Sequence, residues 1–258
     1  MASPIMQDLP RILAALALVV LAALISRWQS LDLEKQMLTA VGRAFIQLTL
    51  IGYALNVLFA IDNLWAVAAM ISIMTLIAGH TSGNRSAGIP QSRLVALVSI
   101  TIGAALTLGL LLGLRIFTPT AQEIIPIAGM VIGNAMNVCS LVMQRVRDEV
   151  NGRRLEIETT LALGATRRQA ADPFLKTALQ SGMMPIIDST KTVGLIQLPG
   201  AMTGMILAGA SPLEAVQLQM IVMYMLIGAA AFTGLTAAIL AYRQFFTPEH
   251  QLIIFWND

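Results

Sequence analysis

Apolar and polar positions in this chain are grouped in long blocks. Residues 94–114, 124–144, 192–213 and 215–242 contain no Asp, Glu, Lys or Arg, and each run matches the roughly 20 residues that carry a helix across a bilayer. Residues 44–61 and 63–79 form slightly shorter runs, and 12–26 adds a seventh. Backbone amides in hydrocarbon must be satisfied within the chain, and these runs lack the period-two alternation of a barrel strand, so helices are expected. The expectation is an all-α polytopic bundle of about seven transmembrane helices, with residues 1–258 forming a single transmembrane domain. The first run is expected to be retained and not cleaved as a signal, because Asp8 precedes it and Arg27 and Lys35 follow it, the reverse of a signal peptide's charge order.

Charge between the runs sets the expected orientation. Loops 27–36, 80–93 and 144–182 with the tail carry twelve basic residues, and the opposite side carries Arg11 and Arg115. The positive-inside rule then places the amino terminus outside and the carboxyl terminus and 144–182 in the cytoplasm. Composition agrees: 57% of the residues are hydrophobic and 12% charged, with mean hydropathy +0.76, whereas a soluble domain carries about a quarter charged residues. A net charge of +2 does not suggest nucleic acid as a partner. One cysteine, Cys139, excludes an internal disulfide, and His80 and His250 lack zinc-site spacing. GxxxG spacings at Gly109/Gly113, Gly129/Gly133 and Gly200/Gly204 could bring helices close together or arise by chance.

Segment 144–182 reads QRVRDEVNGRRLEIETTLALGATRRQAADPFLKTALQSG. After Gly152 a helix can run until Gly164, a residue suited to the left-handed conformation that ends helices. Ala165 and Thr166 start a second helix with Thr166 as its N-cap, and Asp172-Pro173 is expected to break it. Such a helix-turn-helix protrusion gives a soluble partner something to grip. Glu158-Thr-Thr-x-x-x-Gly164 resembles the E-A-A-x-x-x-G coupling loop by which ABC permeases dock on their ATPase, although Phe174, Leu175, Lys176 and Thr177 stand where importers continue with Ile-x-Leu-Pro. A lipid-bound basic helix is the alternative, diluted by five acidic residues against seven basic ones. No G-x-x-x-x-G-K-[ST] phosphate loop occurs, so ATP would be bound by a partner subunit and no cofactor by this chain.

Polar residues inside apolar runs are the candidate transport pathway. Arg43 with Gln47, and Asn134 with Asn137, are each spaced to share a helix face. In PIIDSTKTVGLIQLPG, residues 185–200, Asp188 and Lys191 can neutralise one another, while Pro185, Gly194, Pro199 and Gly200 interrupt helix geometry. That combination resembles a broken membrane helix lining a pathway; the alternative is a static ion pair at the cytoplasmic end of the sixth helix. Eight methionines between Met130 and Met220 raise soft-metal binding, with core filling as the plainer reading. Met136, Cys139 and Asp188 are the candidate metal ligands.

The stretches LEKQMLTAVGRAFIQLTLIGY (33–53), IPIAGMVIGNAM (125–136), LALGAT (161–166) and MPIIDSTKTVGLIQLPGAMTGMILAG (184–209) are similar to those of the bacterial iron-export ABC permeases, whose plant relatives are linked to aluminium tolerance. The resemblance implies a seven-helix permease in the plasma (inner) membrane, working as a homodimer with a cytoplasmic ABC ATPase and exporting a metal ion or conferring metal resistance. The plant relatives also raise a nucleotide sugar as solute. An ion-coupled secondary transporter using Asp188 and Lys191 is the competing class. A membrane enzyme is disfavoured, because the sequence has no Ser/His pair, H-E-x-x-H motif or paired intramembrane carboxylates.

Overall fold

Length and apolarity make these segments helical, and caps and glycines decide where each helix stops. The computed structural model describes residues 4–61, 63–247, 249 and 251–253, with the side chains of all of these except 4–9, 11–13 and 61. His250 lies outside the described residues, as do the side chains of Asp8 and Arg11. The described residues form nine helices in two compact units, 1–61 and 62–258.

The first unit holds α1 (Pro4–Trp28) and α2 (Glu34–Ile61). Ser26 joins them: its hydroxyl accepts from the Leu33 amide at 3.2 Å and donates to the Glu34 carboxylate at 3.5 Å. Arg43 and Gln47 are exposed on α2.

The second unit holds α3 (Leu64–Arg85), α4 (Ser92–Gly113), α5 (Ala121–Gly152), α6 (Arg154–Ala162), α7 (Arg167–Thr192), α8 (Gly200–Leu207) and α9 (Pro212–Arg243). Asn63 caps α3 by accepting from the Trp65 amide at 2.9 Å. Helix α5 is central, packed against α3, α4, α7 and α9. Five helices, α2, α3, α4, α5 and α9, are long and apolar enough to cross a membrane, and residues 14–28 of α1 form a shorter apolar helix. The chain is a multi-pass membrane protein.

Small residues let the central helices meet. A Cβ on Gly103 of α4 would strike the Thr233 hydroxyl of α9, and one on Gly182 of α7 would strike Val142 of α5. The GxxxG pairs singled out from the sequence do not make such approaches: Gly109, Gly113, Gly133, Gly200 and Gly204 face open space, and Gly129 meets only the end of Met74. The spacing that does pack is Gly79/Gly83 on α3, against Leu97 and Arg93 of α4. Gly83 lies beyond the charge-free run that ends at Gly79, so the pair straddles the run's end.

Two expectations are corrected. Residues 192–213 are not one helix: α7 ends at Thr192, 193–199 are irregular, and α8 is eight residues long. Gly194 (φ +81°) and Gly209 (φ +96°) adopt backbone conformations open mainly to glycine, and Ser211-Pro212 starts α9 afresh. Asp172-Pro173 does not break α7, which runs from Arg167 to Thr192 through both Pro173 and Pro185. The proline costs one ladder bond, to the Gln169 carbonyl, at a part of the helix where Gln169 and Pro173 are both exposed. The helix is held instead by a buried stripe at Ala170, Phe174, Ala178, Gly182 and Ile186, four residues apart and therefore on one face.

Candidate coupling element and transport cavity

Helix α6 follows a break at Arg153, which pairs back to Glu149 of α5 at 2.8 Å, while Arg154 pairs with Glu158 within α6 at 2.8 Å. Ile157 is 2% exposed and belongs to the same buried cluster as Phe174 and Ala170 of α7. This anchors α6, while Leu155 and Leu163 stand 79% and 84% exposed. The α6–α7 turn has two parts. Gly164 (φ +89°) donates its N–H to the Leu161 carbonyl at 3.0 Å and Ala165 donates to Thr160 at 3.3 Å, the paired bonds of a Schellman motif. Thr166 then caps α7 in a capping box, its amide donating to Gln169 Oε1 at 2.9 Å and its hydroxyl accepting from the Gln169 amide at 3.4 Å. The turn before α9 repeats the design: Gly209 and Ala210 close α8, and Ser211 forms a capping box with Glu214. The signal for this second turn is in the sequence, since GASPLE has the spacing of GATRRQ.

Helix α7 runs antiparallel to α9. Arg168 and Arg243 line one cavity, Leu179 meets Gly234, and the Thr190 hydroxyl lies 3.9 Å from Met223 Sδ. Helix α8 continues in the same direction: Ala201 shares a cavity with Leu218 and Val222, and the turn at Gly209 leads back into α9. Helices α7 and α8 are therefore two pieces of one broken rod alongside α9. The break is tied back on itself, with the Gly194 amide donating to the Gln197 carbonyl at 3.0 Å and Gln197 Nε2 donating to Ser189 Oγ at 2.9 Å.

Beside the break lies a cavity of 410 Å³. Thr190, Val193, Gly194, Leu198 and Met202 form one side of it, and Val216, Gln219, Met220, Met223 and Tyr224 of α9 the other. Gln219 is 5% exposed, and its Oε1 has no hydrogen-bond partner among the described residues. A buried amide oxygen left unpaired costs about 1–3 kcal/mol, so this group is poised to accept from a solute or water. Gln219, Thr190 and Met223 were missed from sequence. The 215–242 run offers two amides, Gln217 and Gln219, and only the fold shows that Gln219 is the buried one.

The other candidate residues are placed as follows. Asp188 and Lys191 pair at 3.4 Å with side chains 57% and 67% exposed, and do not line the cavity. They stand 22 residues from Thr166, roughly 33 Å along α7, at the end of the helix remote from the coupling turn. Residues 167–182 of segment 144–182 are the first part of α7, so Asp188 and Lys191 follow the segment within the same helix and are remote only from its coupling turn. Pro199 caps α8 and Gly200 begins it. The two asparagines bond in different directions: Asn134 Nδ2 donates to the Leu226 carbonyl of α9 at 2.9 Å, and Asn137 Oδ1 accepts from Arg85 of α3 at 3.2 Å. Cys139 is buried, its thiol directed at Met143 Sδ at 3.6 Å. Among the described residues no group of three His, Cys, Asp or Glu side chains is placed to hold a metal ion.

The model of the uncharacterised protein family UPF0014 matches residues 9–246. The chain is 46% identical over 240 residues to Protein ALUMINUM SENSITIVE 3 of Arabidopsis thaliana, covering 93% of this chain and 88% of that one. It is 45% identical over 240 residues to the UPF0014 membrane protein STAR2 of Oryza sativa subsp. japonica, covering 93% and 84%. It is 38% identical over 242 residues to the probable iron export permease protein FetB of Escherichia coli (strain K12), covering 93% of each. No solved structure matches the chain at a significant level. Matched over nearly its whole length by the family model and by these relatives, the chain belongs to the UPF0014 family of membrane proteins.

Proposed function

We propose that this chain is the membrane-spanning permease subunit of an ABC-type exporter in the plasma (inner) membrane, working as a homodimer with a separate cytoplasmic ATPase that binds and hydrolyses ATP. The observation that carries the reading is mechanical. A small helix presenting Leu155 and Leu163 to solvent is anchored through Ile157, and an unbroken helix of 26 residues, on the order of 39 Å long, joins its turn to the cavity wall at Thr190. A displacement of α6 by a partner is thus delivered to the cavity by a rigid rod.

In this reading the amino terminus is outside, α6 is cytoplasmic, and the sixth of seven crossings is the broken pair α7–α8, with 200–207 completing it. Thr190 meets Met223, eleven residues into α9 and so about 17 Å from its outer end. Asp188 and Lys191 then lie at membrane depth on an exposed face, where charge must meet water or a partner surface, and they belong to the pathway wall that a second copy completes. The solute is a metal ion, iron by analogy with the name of the Escherichia coli relative.

Reconstituted transport tests this. Export should require both the added ATPase and ATP, and gradient-driven transport without either would establish the secondary-transporter reading instead. Gln219→Leu removes an unpartnered oxygen, so it should leave stability equal or higher by about 1 kcal/mol while lowering transport. Full transport by this variant would remove the cavity from the pathway.

A further inference from the structure

At the opposite end of the α7–α9 pair from the transport cavity, a second cavity of 230 Å³ lies between the first turns of α7 and the last turns of α9. Its chemistry is graded along the helix axes. Arg168 and Arg243 stand at the rim with the pair formed by Lys176 and Asp172, whose Nζ–Oδ2 distance is 2.9 Å. Deeper along the two helices the walls are Leu175 and Leu179 of α7 and Leu235 and Ile239 of α9. The Asp172 carboxylate is neutralised by Lys176. The guanidinium groups of Arg168 and Arg243 have no ion pair or hydrogen bond among the described residues, and both arginines are exposed. Leu235 is 52% exposed, so the apolar end opens outward instead of closing as core.

Two unneutralised cations above an apolar trough that opens sideways from a membrane bundle fit one kind of occupant. We propose that this groove holds an anionic phospholipid of the cytoplasmic leaflet, its phosphate between Arg168 and Arg243 and its upper acyl carbons along Leu175, Leu179, Leu235 and Ile239. The cavity is much smaller than a whole phospholipid, so it grips the headgroup region while the chains continue into the bilayer. Basic pockets between transmembrane helices on the cytoplasmic side suit such headgroups. A free anion would use only the rim. The bound lipid bridges the start of α7, directly after the coupling turn, to the end of α9, and so braces the rod that carries motion to the cavity.

The test uses the purified full chain in detergent and native mass spectrometry with equal amounts of phosphatidylglycerol and phosphatidylcholine. The parent should retain phosphatidylglycerol preferentially. Each basic residue near an anionic membrane surface contributes about a five-fold factor, so Arg168→Gln with Arg243→Gln should lower that preference by about 25-fold. Leu235→Asn should weaken retention of the lipid without altering protection by millimolar inorganic phosphate against heat. A matched control, Arg27→Gln with Lys35→Gln, removes the same charge from a cytoplasmic loop outside the groove and should lower the preference far less than the groove pair does. Melting in phosphatidylcholine alone shows whether each variant is folded, and Arg→Lys at both positions keeps the charge if glutamine does not fold. An unchanged preference in the double variant overturns the proposal. Equal stabilisation of the parent by inorganic phosphate and by phosphatidylglycerol also overturns it, reducing the groove to an anion site, as does protection of the groove by added ATPase with lipid retention unaffected by the arginines.

Discussion

Gly164 offers the sharpest test of the coupling turn, because its structure separates steric cost from conformational cost. A Cβ built there meets nothing within 4 Å, yet φ is +89°. The Cβ of Gly164→Val therefore has room, and the main penalty is backbone strain, about 1–2 kcal/mol for an L-residue held left-handed, with χ1 of a β-branched residue restricted in addition. If the turn relaxes to escape the strain, the bonds from Gly164 to Leu161 and from Ala165 to Thr160 are lost, and α6 swings about its Ile157 anchor. At about 1.4 kcal/mol per factor of ten, the penalty appears as roughly 5- to 30-fold weaker ATPase binding. Gly164→Asn is the internal control, since asparagine tolerates this region, and it should lose no more than about three-fold. Affinity is measured by titrating the ATPase onto the permease in nanodiscs, with membrane insertion followed separately. Valine and asparagine variants that bind alike, or a valine variant that binds like the parent, would refute the account of this turn as the docking geometry.

Gly103→Val should destabilise the bundle by about 1–3 kcal/mol through overpacking against Thr233, while Gly109→Ala on the same helix, facing open space, should stabilise it by about 0.5–1 kcal/mol; denaturant titration in detergent compares the two. Asp188 and Lys191 are more than half exposed in a single copy, but in the proposed dimer Asp188→Asn leaves Lys191 unpaired at membrane depth and should cost about 3–5 kcal/mol; a change of less than about 1 kcal/mol would mean that the pair faces water and is not covered by a second copy. Cys139 is buried, so the parent should resist impermeant maleimide; Leu213→Cys, exposed at the outer end of α9, should be labelled in intact cells and Arg153→Cys should not, and the reverse pattern would invert the proposed topology.

The apolar blocks by themselves determined the class of protein, because twenty charge-free residues have no stable place except lipid. Local chemistry also determined the coupling turn: the glycine stop at Gly164 and the Thr166 cap act within a few residues, and the structure has both. Those rules fail where a helix is held by its neighbours. Helix α7 contains Asp172, Lys176, Asp188 and Lys191, so no charge count selects it, and its stripe from Ala170 to Ile186 acquires meaning only against α5 and α9. Glycine spacing likewise does not reveal which pair meets a partner; Gly79 and Gly83 pack because α4 lies over them. Gln219 became a candidate only when the break after Thr192 left a cavity in front of its unpaired oxygen. Sequence sets which segments prefer lipid and where each helix stops, because those are short-range free energies. Which faces touch, and which polar atom is left without a partner, depends on residues far apart in the chain, and only the tertiary structure decides it.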